Sequence, residues 1–335
     1  MKAAIYTRYG PPEVVHIASV STPAPKDNEV LIRIHATTVS SGDWRMRSAK
    51  VPRGFGLIIR LVFGITGPRQ PILGTECSGV IEAVGSDVTR FKPGDAVFAF
   101  PGAKARCHAE YRTMAETGNI LSKPENLTFE AAAALSFGGT TALFFLRDQA
   151  KIKPGERVLI LGASGTVGSA AVQIAKLMGA HVTGVCSTAN LDLVRGLGAD
   201  DVIDYTAQDF TTGGATYDII MDCIGVTTYA ASKSVLAQNG RCLVVAGGLP
   251  ELLGSLWPRK HGHQIKAGTG PERLSDLILL AGWARAGTYA PLIDCTYHFD
   301  QIVAAHARVD TGHKRGSVVV TMPVLTDLAS TENAG

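Results

Sequence analysis

The chain has 335 residues, 46% of them apolar and 18% charged, with 37 glycines and a formal net charge of +3. Low charge and high apolar content exclude a largely disordered chain. The balance of 32 basic against 29 acidic side chains points away from nucleic acid and membrane as partners. At roughly 100–200 residues per domain, the length predicts two domains.

Met1 opens directly into a strand-like run, with no basic-then-apolar leader. The stretch Leu57 to Ile65 reads as the longest apolar one. It is interrupted by Arg60 and falls short of the roughly 18–20 residues a membrane span needs. The six cysteines, Cys77, Cys107, Cys186, Cys223, Cys242 and Cys295, form no Cys-x-x-Cys pair. A zinc ribbon is therefore not expected; buried free thiols in a reducing cytoplasm are.

Residues 1–120 read as β-rich, with β-branched runs at 30–35, 79–84 and 95–100 separated by Gly/Pro punctuation. Residues near 128–150 read as helical. From Lys153-Pro-Gly155 the rhythm changes. Arg157-Val-Leu-Ile-Leu161 is almost wholly apolar, as suits a strand buried on both faces of a parallel sheet. A glycine turn and a helix over 169–178 follow. Then come strands at 181–186, 201–204, 217–221 and 241–245, with helices at 191–197 and 230–237. Such alternation predicts a right-handed parallel α/β sheet. Beyond about 260 the pattern is mixed: a strand, helices at 272–286 and 300–308, and Ser317-Val-Val-Val-Thr321. An α/β unit between β-rich ends predicts a split first domain: 1–125 with 263–335 around a dinucleotide-binding domain at 126–262.

The turn itself reads Gly162-Ala163-Ser164-Gly165-Thr166-Val167-Gly168. From Ala163 it is Ala-x-Gly-x-x-Gly between a strand and a helix. Small residues there let the backbone approach a pyrophosphate, and the helix N-terminus offers free N–H groups and a positive dipole end. The second strand ends in Cys186-Ser187-Thr188-Ala189-Asn190, with no acid until Asp192. An acid in that turn would mark NADH. Its absence, and the donors of Ser187, Thr188 and Asn190, favour NADPH, with NADH the lesser choice. Tyr229-Ala-Ala-Ser-Lys233 matches the Tyr-x-x-x-Lys pair of short-chain dehydrogenases. It lies only 61 residues after Gly168, about half the usual interval, and is set aside as the start of a surface helix.

Over about residues 1–322 the chain resembles the medium-chain dehydrogenase/reductase superfamily. The matching pieces, in order, are Met1-Lys-Ala-Ala, Glu29-Val-Leu-Ile-Arg33, Gly74-Thr75-Glu76-Cys-Ser-Gly79-Val-Ile-Glu-Ala-Val-Gly85 and Phe91-Lys-Pro-Gly94-Asp95. Ala109-Glu110-Tyr111, Thr141-Ala142-Leu143, the glycine turn, Leu197-Gly198-Ala199-Asp200 and Gly312-His313-Lys-Arg-Gly316-Ser-Val-Val-Val follow. Within it the chain looks like the zinc-independent quinone oxidoreductase branch. The resemblance implies a Rossmann doubly wound domain beside a β-rich GroES-like catalytic domain, and a homodimer joined at the edge of the cofactor sheet.

Zinc alcohol dehydrogenases carry a catalytic Cys in the segment matching 39–43 and Gly-His-Glu where this chain has Gly74-Thr75-Glu76. Hydroxyls are poor zinc ligands beside thiolate and imidazole. No metal is expected. Cys107-His108 reads as a core thiol beside a loop histidine. Without a Lewis acid, hydride delivery to the β-carbon of an enone, or to a quinone, is easier than reduction of a simple ketone, because charge spreads onto a conjugated oxygen. The expected substrate is thus a small hydrophobic enone, quinone or carbonyl compound. Two alternatives stand: a carbonyl reductase or alcohol dehydrogenase using a non-metal acid, and a cofactor-binding protein without turnover.

The resemblance places the substrate cleft at 40–47. Ser40, Asp43, Trp44 and Arg45 are the candidate catalytic residues, with Arg47, Ile59 and Phe63 lining the substrate. The glycine-flanked stretch 53–67 is either a lid or a buried helix. Thr141 is expected near the nicotinamide, Tyr205 near the adenosine phosphate, and Cys223 and Ala246-Gly247-Gly248 at the carboxyl edge of the sheet. Arg315 in the closing motif is expected to reach the cofactor.

Overall fold

A computed structural model describes residues 1–51, 54–257 and 260–323, and the backbone alone at 57–59. In chain order the strands are β1 Lys2–Ile5, β2 His16–Ser19, β3 Glu29–Val39, β4 Cys77–Val84, β5 Ala96–Ala99, β6 Tyr111–Ala115, β7 Ile120–Ser122, β8 Arg157–Leu161, β9 His181–Cys186, β10 Asp201–Asp204, β11 Tyr217–Asp222, β12 Leu236–Val244, β13 Gln264–Ala267, β14 Ile293–His298 and β15 Ser317–Thr321. The α-helices are α1 Ser41–Ser48, α2 Gly56–Phe63, α3 Phe129–Ala133, α4 Ser136–Leu143, α5 Thr166–Leu177, α6 Leu191–Gly196, α7 Tyr229–Ser232, α8 Leu249–Gly254, α9 Leu274–Arg285 and α10 Ile302–Asp310.

Strands β8 to β13 form one parallel sheet in the order β10-β9-β8-β11-β12-β13. Numbered by appearance this is 3-2-1-4-5-6, the Rossmann order. Val158, Leu159, Ile160 and Leu161 of β8 are all at most 2% exposed, as a strand covered by helices on both faces requires. The order reverses between β8 and β11, which opens a crevice at the carboxyl ends of those strands. The second sheet runs β14-β15-β3-β4-β5-β7, with β6 also on β3. It is antiparallel except for β14 on β15. Its core joins Ile32 and Ile81 from the first part of the chain to Val318 and Val320 from the last. Both ends of the chain thus share one sheet around the Rossmann unit.

Three expectations shift. The parallel sheet runs past the expected border at 262, because its edge strand is β13 at 264–267. The helix expected over 230–237 stops at Ser232, and β12 starts at Leu236. Asn239, at φ 61°, lets the chain bulge and enter the strand early, which appears as a register shift against β11. The longer apolar run is Phe129–Gln149 and not the stretch from Leu57. It is a core helix: Ala132, Leu135, Leu143, Phe145 and Leu146 lie inside the main hydrophobic cluster.

Candidate active site

The glycine turn joins β8 to α5. Gly162 sits at φ 75°, and its amide and that of Ala163 bond the Val185 carbonyl of β9 at 3.1 and 3.0 Å. A Cβ on Gly168 would stand 2.1 Å from the Gly162 oxygen, so only glycine lets α5 start this close to the turn. Gly165 is the N-cap and supplies no side-chain cap. The first-turn amides of α5, at Thr166 and Val167, are left for an anion. These features fit the pyrophosphate of a dinucleotide.

The closing motif is fastened to this turn. Gly316 N–H donates to the Ser164 carbonyl at 2.9 Å, and the Thr166 hydroxyl donates to the Gly316 carbonyl at 2.7 Å. The Lys314 ammonium donates to both the Thr166 hydroxyl and the Gly316 carbonyl. Burial lowers the Lys314 pKa to about 8. Arg315 behaves otherwise. It is 55% exposed and turns toward Asp294 at 3.8 Å. The cation of this motif that reaches the turn is Lys314, which sequence reading missed.

The adenosine corner lies at the end of β9. Asn190 donates to the Ser187 hydroxyl at 3.0 Å, and Tyr205 is 58% exposed nearby on the loop after β10. The expectation of no acid here is corrected. Asp204, paired in register with Cys186, accepts the Thr188 hydroxyl at 2.5 Å. Bonds from Thr188 and Thr206 hold the Asp204 pKa below the usual carboxylate value. The acid comes from the next strand, so a scan of the β9 turn does not find it. Arg195 is likewise taken by Asp192 at 2.7 Å.

Gly162, Cys223 and Ala246-Gly247-Gly248 follow β8, β11 and β12, three neighbours in the sheet, so the fold brings them to one edge. Thr141 is half-buried on α4 and donates to the Phe137 carbonyl at 2.7 Å. Tyr229 is placed elsewhere: its hydroxyl meets His263 Nδ1 at 3.1 Å.

On the other domain, Ser40 caps α1. Its amide and hydroxyl both donate to Asp43 Oδ2, at 2.8 and 2.6 Å, and its hydroxyl accepts from the Asp43 amide. Asp43 Oδ1 accepts the Gly74 amide at 2.8 Å. Asp43 is fully buried and its oxygens are spent on holding α1 and the 74–76 segment in register. It is a positioning residue and not a free catalytic acid. Trp44 packs half-buried against the catalytic-domain core. Arg45 is half-buried, with no hydrogen bond or ion pair among the described residues, and burial lowers its pKa. Arg47 is corrected from substrate lining. It is wholly buried and donates to the Gly10 carbonyl at 2.9 Å and to Asp310 on α10.

Phe63 ends α2 half-buried, and the Ile59 side chain lies outside the described residues. Helix α2 is no buried helix: Leu61 and Val62 are over half exposed. Its lead-in crosses to the other domain, since a Cβ on Gly54 would stand 2.6 Å from Leu249 Cβ of α8. His108 lies in the loop before β6, as expected, but is fully buried, with Nε2 on the Thr38 carbonyl at 2.9 Å.

Thr75 and Glu76, read in the sequence only as a departure from the zinc motif, stand at this site. Ser40 Oγ lies 3.4 Å from Thr75 Oγ1. Glu76, next in sequence, is 1% exposed; it accepts the Thr38 hydroxyl at 2.6 Å and the Phe137 amide at 2.7 Å. Burial raises its pKa to about 7. Neither Ser nor Thr offers the thiolate or imidazole a zinc ion prefers. Among the described residues no three His, Cys, Asp or Glu side chains gather as a metal site.

The comparisons agree with this geometry. Residues 26–149 match the alcohol dehydrogenase GroES-like domain, and residues 197–320 match the zinc-binding dehydrogenase family model. The chain is 32% identical to the mitochondrial NAD(P)H oxidoreductase RTN4IP1 of Mus musculus, over 96% of this chain and 89% of that protein. It is 31% identical to 2-methylene-furan-3-one reductase of Solanum lycopersicum, over 96% of this chain and 79% of that one. The solved quinone oxidoreductase of Coxiella burnetii superposes with a TM-score of 0.85 at 28% identity, over 96% and 99% of the two chains. The fold and site are those of an oxidoreductase that uses a nicotinamide cofactor. The chain belongs to the medium-chain dehydrogenase/reductase superfamily, in its quinone oxidoreductase-like branch. The expected cytoplasmic location is overturned: several relatives at 28–32% identity are named mitochondrial or chloroplastic.

Proposed function

We propose that the chain is an NADPH-dependent reductase that delivers hydride to the conjugated double bond of an enone, or to a quinone, without a metal. The observation that carries this is the meeting of Ser40 and Thr75. Two hydroxyls stand together where, by resemblance, zinc enzymes of this superfamily keep ligands. Hydroxyls donate hydrogen bonds to an oxygen bearing spread charge. They do not supply the Lewis acidity that a simple ketone needs.

The reduced nicotinamide supplies a hydride when bound. The α5 N-terminus, Ser164 to Val167 and Lys314 hold the pyrophosphate. Ser187, Thr188 and Asn190 hold the adenosine end. The carboxyl edge at Cys223 and Ala246–Gly248 seats the reactive ring against the α1 side of the cleft. Asp204, which accepts the Thr188 and Thr206 hydroxyls, opposes a 2′-phosphate at this corner, while the Ser187, Thr188 and Asn190 donors favour one; the ratio of NADPH to NADH affinity tests the balance. The dimer is proposed to form at the free side of β13, the strand that ends the sheet; light scattering tests it.

The experiment is cofactor oxidation followed across a panel of enones, quinones and simple ketones, with product analysis. Faster oxidation with enones and formation of the saturated ketone support the reading. Allylic alcohol as the product supports a metal-free carbonyl reductase instead. Cofactor binding with no acceleration by any acceptor makes the chain a binding protein.

A further inference from the structure

We propose that Thr75 is the catalytic hydrogen-bond donor to the substrate's carbonyl oxygen, backed by Ser40 and held in place by Asp43 and Glu76. This rests on the reductase reading above and names the group that receives the charge.

Proton counting singles out Thr75. The Ser40 hydroxyl hydrogen is committed to Asp43 Oδ2 at 2.6 Å, and Ser40 Oγ already accepts the Asp43 amide at 3.1 Å. The Asp43 carboxylate offers no hydrogen. Among the described residues, Thr75 Oγ1 has one hydrogen-bond partner, Ser40 Oγ at 3.4 Å, beyond the usual range for two hydroxyls. Between Ser40 and Thr75, the Thr75 hydrogen is therefore the one with no good acceptor among the described residues. At 6% exposure it is also largely screened from water, where one more bond is worth most.

The backbone around Thr75 is clamped on every side. The Gly74 amide is held by Asp43, and the Thr75 carbonyl accepts the Gly102 amide at 3.0 Å. The Glu76 carboxyl is fixed between Thr38 and the start of α4. A donor fixed before the reaction needs no reorganisation during it. The position is also apt. A Cβ on Gly42 would lie 3.2 Å from Ser40 Oγ and 3.3 Å from the Phe137 ring, so α1 and α4 meet at this pair. Thr141, expected at the nicotinamide, is one helical turn from Phe137 and bonded to its carbonyl.

The chemistry balances. Hydride adds to the β-carbon, forming a C–H bond and oxidising the cofactor. The C=C electrons shift to form the new C=C, and the carbonyl pair moves to oxygen. Thr75 donates to that oxygen as its charge grows, and water then protonates the enolate. Flanking carboxyls do not cancel this. Glu76, raised to about 7 by burial, is largely neutral below that pH, and the Asp43 charge is spread over three donors.

The test uses T75V, which keeps the shape and removes the hydroxyl, and T75S, which restores it. Steady-state kinetics use an enone and a quinone, and cofactor binding is followed by fluorescence titration. Loss of one oxyanion donor lowers kcat by about 100-fold. We expect that loss in T75V, with cofactor Kd within about twofold of wild type, and recovery to within about tenfold in T75S. A T75V enzyme with wild-type kcat overturns the proposal. So does an equal loss in T75S, which would mark a packing role. T75V that no longer binds cofactor also overturns it, because the hydroxyl would then serve the cofactor site or the fold and not the substrate's carbonyl oxygen. A wild-type chain inert toward every acceptor instead overturns the reductase reading itself.

Discussion

Lys314 and Arg315 are adjacent, and one of them reaches the cofactor turn. The closing motif reads in sequence as two equivalent cations. Only the tertiary path, with Gly316 bridged to Gly165, decides which side chain faces inward. Lys314 near α5 has its charge disfavoured by burial, and an arriving pyrophosphate reverses that. Its pKa then rises, and cofactor binding takes up a proton above about pH 8. Two outcomes follow. Wild-type cofactor affinity falls as pH rises past 8, by up to about tenfold per unit. K314M binds about tenfold or more weaker at pH 7, without that slope; titrations from pH 6 to 9 measure both. At the other end, D204N keeps an acceptor for Thr188 and removes a negative charge. It should tighten NADPH several-fold while leaving NADH nearly unchanged, measured as the ratio of the two Kd values. Equal effects on both would place Asp204 away from the 2′-phosphate.

Helices and strands differ in how openly the sequence announces them. The strands at 157–161, 181–186 and 201–204 were legible because parallel strands buried on both faces read as short apolar runs between glycine and proline signals. The end of helix α7 was not, because Ala-Ala-Ser-Lys has helical propensity while pairing with β11 claims Leu236 for β12. The glycine turn between β8 and α5 was legible as strand, turn and helix because those pieces are consecutive in sequence. The α1 side was legible only in part. Ser40 and Asp43 stand three apart and form a capping box, a pattern any helix start can carry. That Asp43 also takes the Gly74 amide, 31 residues on, depends on the fold. Removing it strands two buried amides, Ser40 and Gly74. D43A should therefore lose at least about 2 kcal/mol of stability by urea denaturation. D43N keeps one acceptor oxygen and should lose less. A D43A chain as stable as wild type would mean water replaces the carboxylate.

Two buried titratable groups with opposite preferences give the whole molecule a readable pH dependence. Glu76 sits where β3, the 74–76 segment and α4 join the two halves, and its pKa is raised from 4.5 to about 7 by burial. Its neutral form is favoured in the fold. Its contribution is full below pH 4.5 and is lost as pH rises through 7. His306 lies wholly buried on α10 against His108, at 5.4 Å between ring centroids. Among the described residues neither of its nitrogens has a hydrogen-bond partner, and burial, then His108 and Arg47, push its pKa well below 6.5. The fold holds it neutral. Its contribution is full above pH 6.5 and is lost as pH falls toward the depressed value. Below pH 6.5, where both groups titrate, one gains as the other loses, so their slopes oppose each other. Each variant should unmask the other. The stability difference, wild type minus E76Q, should fall by up to about 1.4 kcal/mol per pH unit between 4.5 and 7. Wild type minus H306L should rise over the range below 6.5, because an apolar residue there has no proton to take up. Urea midpoints at half-unit pH steps measure both curves. Parallel curves for wild type and E76Q would mean that Glu76 titrates as an ordinary carboxylate. The seam between the domains would then hold a charge the present geometry leaves unpaired.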